Sequence, residues 1–301
     1  MIKKIGVLMG GTSLERDVSL NSGKAIMEVC RKLDYDTIPL ILNKKLSDIL
    51  PDLQVVDFVF IALHGGEGEN GSIQGFLGEL GIQYNGSGVL ASALGMDKNM
   101  SKILCQSIGI PTPKWQYFKS IEDSLRLKCE SYPVVVKPND GGSTIGFTVV
   151  HQESELEAAI RHADANGNGI LIEKFIPGRE LTVSILGEKV FPIVEILPTH
   201  ESYDYECKYT KGMSKYICPA NVSKSLTESI QQKSIDFYNL LLCQGYGRID
   251  FRLDHEGMPW LLEINTLPGM TSTSLVPKAA GAIGISFENL IQSIINESLK
   301  K

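Results

Sequence analysis

At 301 residues the chain has room for two or three domains of ordinary size. A hydrophobic fraction of 43% and a mean hydropathy of +0.01 describe a soluble globular chain, and no apolar stretch approaches the roughly 20 residues of a membrane span. A formal charge of −6 and a pI near 5.5 argue against nucleic acid as a partner, and any anionic ligand needs local cations or metal to offset the overall field. Six cysteines stand at 30, 105, 129, 207, 218 and 243, with no Cys-x-x-Cys and no metal spacing with the five histidines, so the expectation is reduced thiols in a cytoplasmic enzyme. The apolar run after Met1-Ile2-Lys3-Lys4 is too short for a signal peptide.

In chain order, Ile5 to Met9 reads as a buried strand and Gly10-Gly11-Thr12-Ser13 as a turn. Ser19 to Leu33 reads as a helix, and Val55 to Leu63 as a second apolar strand ending at His64-Gly65-Gly66. This alternation predicts a parallel sheet with sites at the C-terminal ends of its strands. A new block opens at Met96-Asp97-Lys98, with a helix that ends near Gly109 before Pro111 and Pro113. Strands follow at Val134 to Lys137 and Gly146 to Val150, then a helix from Ser154 to Asp164 and a strand from Gly169 to Phe175. From Arg179 come further strands, a tyrosine-rich loop at 201–217, a helix from Leu226 to Cys243, two strands, and a closing helix near Phe287 to Leu299. The fold class is therefore α/β followed by α+β, in three blocks: 1–95, 96–178 and 179–301.

Gly66-Glu67-Gly68-Glu69-Asn70-Gly71 matches Gly-x-Gly-x-x-Gly after a strand, but two glutamates in the turn repel a pyrophosphate. A structural turn is the better reading, lining a cleft through His64 and Glu69; His64 reads equally well as a hydrogen-bonded histidine at a strand end. The loop Lys137-Pro138-Asn139-Asp140-Gly141-Gly142-Ser143-Thr144-Ile145-Gly146 lies between two strands and can present backbone N–H groups to phosphate oxygens. Lys137, ending the apolar run Val134-Val135-Val136, supplies a point charge for phosphate. Glu173-Lys174-Phe175-Ile176 leads into an extended connector that offers backbone polar groups and apolar contact to a flat heterocycle, with Glu180 an acceptor for ribose hydroxyls.

The most informative segment is a pair of alternating strands, Gly247-Arg248-Ile249-Asp250 and Leu261-Leu262-Glu263-Ile264-Asn265, joined through the turn signal Asp254-His255-Glu256-Gly257. In a hairpin, Asp250, Glu263 and Asn265 converge on one point, and Arg248 shares the face of Asp250. Carboxylate and amide oxygens of this kind suit Mg²⁺ shared with substrate phosphates.

Together these pieces resemble the ATP-grasp superfamily, and within it the D-alanine–D-alanine ligase family. The resemblance runs over essentially the whole chain: Gly10-Gly11-Thr12-Ser13-Leu14-Glu15-Arg16, Ala62-Leu63-His64-Gly65, Met96-Asp97-Lys98, Lys137-Pro138, Gly142-Ser143-Thr144-Ile145-Gly146, Glu173-Lys174, Tyr203-Asp204-Tyr205, Lys208-Tyr209, Gly247-Arg248-Ile249-Asp250 and Glu263-Ile264-Asn265-Thr266-Leu267-Pro268-Gly269. It implies a Rossmann-like N-terminal substrate domain and two α+β domains that clamp ATP. The implied activity is ATP-dependent ligation of two D-alanines through an acyl phosphate, releasing ADP and phosphate, for peptidoglycan synthesis. The alternatives are a D-alanine–D-lactate ligase or a ligase of other D-amino acids. By the same resemblance, Lys98 and Lys137 contact the ATP phosphates, and Ser143 lies in the loop above them. Glu173, Lys174, Phe175 and Ile176 hold the adenine, and Glu180 the ribose. Asp250, Glu263 and Asn265 hold two Mg²⁺, with Mn²⁺ as a substitute. Glu15 takes the ammonium of the first D-alanine, and Ser143 and Tyr209 close the site with it. His64 lines the substrate cleft. Arg248 and the Gly269 N–H face the reacting carboxyl, while Ser274 and the Leu275 N–H hold the second carboxylate. Lys208 covers the site, and Tyr209 marks dipeptide rather than depsipeptide makers. The resemblance also implies a homodimer.

Overall fold

The apolar run at the start of the chain becomes a strand buried on both faces, β1 (Lys4–Gly10), in a computed structural model that describes residues 2–199 and 213–300. Such a run suits the centre of a parallel sheet. Helix α1 (Arg16–Lys32) follows, then β2 (Asp36–Leu42), the short helix α2 (Leu50–Leu53), β3 (Phe58–Ile61), α3 (Ser72–Glu79) and β4 (Gln83–Tyr84). These strands form a parallel sheet in the order β2-β1-β3-β4, as the alternation predicts. Helix α1 starts three residues earlier than its apolar pattern indicates, because Arg16 in its first turn donates to Gly11 O and Leu42 O, each at 2.8 Å, and ties the helix to the turn after β1. The segment 66–68 is a single 3₁₀ turn leading into α3, not a phosphate loop.

Helices α4 (Val89–Met96) and α5 (Lys98–Ser107) lead into the second sheet. Asp97 caps α5 by accepting from the Met100 N–H at 2.9 Å. Strand β5 (Trp115–Phe118), α6 (Ile121–Ser124), β6 (Val134–Pro138), β7 (Thr148–Val150), α7 (Glu153–Asp164) and β8 (Ile170–Lys174) follow. The strands form an antiparallel sheet, β5-β8-β6-β7, over a small core that includes Val136, Ile160 and Ile172.

The third sheet takes β9 (Arg179–Leu186), β10 (Lys189–Val190), β11 (Val194–Pro198), β12 (Ser214–Ile217), β13 (Tyr246–Leu253) and β14 (Pro259–Asn265), in the order β12-β11-β9-β13-β14 with β10 on β9. Helix α8 (Lys224–Leu240) covers it, capped by Ser223. Residues 214–217 thus correct the expectation of a loop through 217: they pair antiparallel with β11 as an edge strand. Glu180, expected in an extended connector, lies within β9.

Of the two last helices, α9 (Leu275–Gly281) packs against β9 and β11 of the third sheet, and α10 (Phe287–Ser298) returns to α1 beside the first sheet. Leu290, Ile291, Ile294 and Ile295 are fully buried in one core with Ile5, Leu8, Ile26 and Cys30. Lys32 and Glu288 pair at 3.3 Å, and the Tyr35 hydroxyl meets the Gln292 side chain along the same seam.

Candidate active site

Strands β13 and β14 form the expected hairpin, closed by Asp254, whose carboxylate accepts the Glu256 and Met258 N–H groups. Alternation along β13 buries Ile249, Phe251 and Leu253 and turns Arg248, Asp250 and Arg252 to the other side. The pairing is Arg248 with Asn265 and Asp250 with Glu263, then shifts so that Phe251 faces Leu261. The shift leaves Leu262 as the extra residue of a bulge, and this phase change sets Glu263 opposite Asp250 rather than against the core. Arg248 grips Asp250 with two hydrogen bonds at 2.9 and 2.8 Å; Thr182 Oγ1 donates to the same carboxylate at 2.6 Å and Asn265 Nδ2 at 3.1 Å. Two carboxylates and an amide oxygen on one surface form an oxygen-only donor set, which fits Mg²⁺ completed by phosphate oxygens and water. Among the described residues no group of three or more His, Cys, Asp or Glu side chains offers another metal centre.

Above the hairpin lies a cavity walled by the second sheet. Its polar lining includes Lys98, Lys137, Glu173, Lys174, Glu180, Arg248, Asp250 and Glu263; its apolar lining includes Val135, Ile145, Phe147, Phe175, Ile176 and Leu262. Lys98 lies 3.4 Å from Glu263 and donates to Gly141 O at 2.5 Å. Lys137 donates to Glu173 Oε1 at 2.5 Å. Burial raises the pKa of Glu173, but Lys102 and Lys137 outweigh it and hold that carboxyl below its usual range. Arg252 lies over the Phe175 ring at 5.5 Å, donates to Ile176 O at 3.0 Å and reaches Glu180 at 3.4 Å. It fixes the connector that walls one end.

A second cavity opens on the other side of Arg248, Glu263, Gly142 and Ser143, which line both. Its remaining walls include Glu15, Asn21, His64, Glu69, Tyr216, Asn265, Gly269, Ser274 and Leu275. The glycine loop folds down over it: Ser143 Oγ donates to Glu15 Oε1, and a Cβ on Gly142 would come within 3.1 Å of Glu15 Oε2. Ser143 and Thr144 hold the loop there with φ of 49° and 63°, left-handed conformations that neither residue favours. Ser13 Oγ donates to His64 O at 2.6 Å, and His64 Nε2 meets Ser22 Oγ at 3.0 Å. His64 is thus both of the things its sequence position allowed, a bonded histidine at a strand end and a cleft residue. Ser274 begins α9, and its hydroxyl accepts the Thr271 N–H at 3.1 Å.

Each expected site residue among the described ones lines one of these two cavities. Tyr209 and Lys208 lie outside the described residues. Sequence reasoning missed Lys102, Thr182, Arg252, Phe147 and Leu262. Lys102 is fully buried, 2.7 Å from Glu173 Oε2 and 2.8 Å from Thr112 Oγ1. Its one signal was spacing: it follows Lys98 by one helical turn. Arg252 continues the i, i+2 series of Arg248 and Asp250, a pattern that was readable.

Residues 104–296 match the family described as "D-ala D-ala ligase C-terminus". The chain is 46% identical to a D-alanine–D-alanine ligase of Halalkalibacterium halodurans, with 99% of this chain and 100% of that one covered. It is 41% identical to another D-alanine–D-alanine ligase, of Clostridium beijerinckii, with 99% of each covered. Among solved structures, D-alanine–D-alanine ligase from Bacillus anthracis complexed with ATP superposes with a TM-score of 0.85 at 35% identity, covering 99% of this chain and 97% of that one. A D-Ala:D-Ser ligase from Enterococcus faecalis superposes with a TM-score of 0.85 at 31% identity, covering 99% of this chain and all of the other.

Proposed function

The chain belongs to the D-alanine–D-alanine ligase family and has its ATP-grasp fold, and from that premise we propose that it joins two D-alanines at the expense of ATP, for peptidoglycan synthesis. The observation that carries this reading is the meeting of two cavities at Arg248, Glu263, Gly142 and Ser143: a cationic, partly apolar one of nucleotide character and a more polar one. ATP lies in the first, with adenine against Phe175 and Ile176 and ribose toward Glu180. Lys98 and Lys137 face its phosphates. Asp250, Glu263 and Asn265 are the residues to hold Mg²⁺, which neutralises charge on the phosphates when bound.

A carboxylate does not acylate an amine at neutral pH because its oxygen is a poor leaving group. Transfer of the γ-phosphoryl to the first D-alanine turns that oxygen into part of a phosphate, and the transfer depends on positioning and charge neutralisation. The buried Glu15 holds the first ammonium. Ser274 and the Leu275 N–H hold the second carboxylate so that the second amine faces the acyl carbon. Arg248 and the Gly269 N–H stabilise the developing oxyanion. The loop at Gly142 and Ser143 excludes water from the acyl phosphate. In this reading 1–95 is the substrate domain, 96–178 and 179–301 the two clamping domains, and the protein is a cytoplasmic homodimer. No helix among the described residues is long and apolar enough to cross a membrane.

The test is phosphate release from Mg-ATP with and without D-alanine, with products identified by mass. Release that requires D-alanine and yields the dipeptide is expected; ATP turnover indifferent to D-alanine would sink the proposal. D-lactate or D-serine supplied in competition resolves the alternatives, since a mixed product in excess of the dipeptide would replace this reading.

A further inference from the structure

We propose that Lys102, which lies behind the nucleotide cavity and outside its lining, is a positioning residue that shares the Glu173 carboxylate so that Lys137 keeps its positive charge for a polyphosphate. The idea rests on the cavity's being the ATP site. Three charged side chains form one chain of contacts: Lys137 Nζ at 2.5 Å from Glu173 Oε1, and Lys102 Nζ at 2.7 Å from Glu173 Oε2. Glu173 is 4% exposed and Lys102 0%, so neither exchanges its partner for water. The Lys102–Glu173 contact at 2.7 Å is a buried ion pair, so charge holds the two side chains together. Thr112 Oγ1 at 2.8 Å and the Trp115 ring at 5.5 Å fix the ammonium from its other sides.

The count of charges decides the argument. Two ammonium groups and one carboxylate leave the cluster with one positive charge, and of the two ammonium groups only that of Lys137 opens onto the cavity. If Lys102 were absent, Glu173 would have Lys137 alone. The remaining pair would be neutral and buried, and its attraction would hold Lys137 back from an incoming anion. Burial lowers the pKa of Lys102, opposed by Glu173. A lysine kept in that place at such a desolvation cost suits a role that an apolar residue cannot fill. Helix α5 delivers both cations: Lys98 in its first turn reaches the cavity, and Lys102 one turn later lies behind it.

The experiment is a double-substitution cycle on the full-length protein, reading the Mg-ATP dissociation constant by calorimetry and the KM of each substrate. Lys102→Met is expected to weaken ATP binding about tenfold and leave the KM for D-alanine within about twofold. Adding Glu173→Gln to Lys102→Met removes the competing carboxylate and is expected to raise the ATP affinity above that of Lys102→Met, to the level of Glu173→Gln alone. A merely structural lysine predicts no such rescue. Wild-type affinity in Lys102→Met, or a double variant no better than the single one, overturns the inference. If Lys102→Met fails to fold, Glu173→Gln is compared with the double variant: equal ATP affinities are expected, and a further loss of about tenfold on removing Lys102 overturns it. Wild-type protein that binds no ATP refutes the ATP site itself and so is distinguished from either result.

Discussion

The proposed nucleotide side of the cleft is walled largely by strands whose register fixes their side chains, whereas the proposed amino-acid side is assembled from loop ends. On the first side Arg248, Asp250, Glu263 and Asn265 sit on two paired strands, and Lys137 and Glu173 on two more. Their positions follow from backbone ladders and one bulge. On the second side Glu15, His64, Gly269 and Ser274 stand at the ends of β1, β3 and β14 or just before α9, held by short side-chain hydrogen bonds such as Ser13 to His64 O and Ser274 to Thr271. The strand-built half is preorganised for charge; the loop-built half depends on a glycine loop closing over it. Losses on the first side should therefore be large and chemical, and losses on the second smaller and specific to one substrate.

The sharpest break of that contrast is Glu263→Gln. Turnover is expected to fall about a thousandfold, equivalent to about 4 kcal/mol of barrier, with the thermal midpoint little changed because this side chain is 29% exposed. Steady-state assays with a melting curve check it, and full activity would contradict the metal role. Ser143→Ala removes the hydrogen bond to Glu15. It should lower kcat/KM for D-alanine by about ten- to a hundredfold while leaving the KM for ATP nearly unchanged, as expected for one bond to a charged group. An equal rise in both KM values would erase the distinction between the halves.

Asn85→Ala probes the scaffold that the two halves share. Its buried side chain accepts from Ile61 N at 2.5 Å and donates to Ile61 O at 3.2 Å and the Tyr246 hydroxyl at 3.1 Å, joining the first sheet to the third. Urea titration should show a loss of about 2–3 kcal/mol, since the truncation orphans buried partners. The smallest effect concerns the thiols. Burial pushes Cys30, Cys105 and Cys243 up to about 12, so at pH 8 they stay protonated and resist alkylation until the chain is unfolded. Peptide mapping after iodoacetamide treatment of native protein tests this; rapid labelling of Cys105 would mean that the wall behind the nucleotide cavity opens.

Much of this was legible in the sequence because apolar runs and alternation report burial directly. The hairpin was readable from Ile249 and Phe251 alternating with Arg248 and Asp250. Other features were not, for reasons particular to each. Strand β2 carries Pro39, which an interior strand excludes but an edge strand tolerates, and β2 is an edge. Strand β12, Ser214-Lys215-Tyr216-Ile217, is another edge whose polar residues resemble a loop. Lys102 reads as one more solvated lysine on a helix; its burial arises only when α5 packs against β14 and Glu173 arrives from β8. Local pattern reports which face is apolar, but not which charges another part of the chain will neutralise.

The return of α10 to α1 bears on how the chain is made. During synthesis the first sheet and α1 emerge early, yet the part of the α1 surface that meets α10 stays uncovered until residues 287–298 leave the ribosome. Until then the nascent protein carries that sticky surface, which makes a chaperone's attention most valuable while α1 and the first sheet stand without α10.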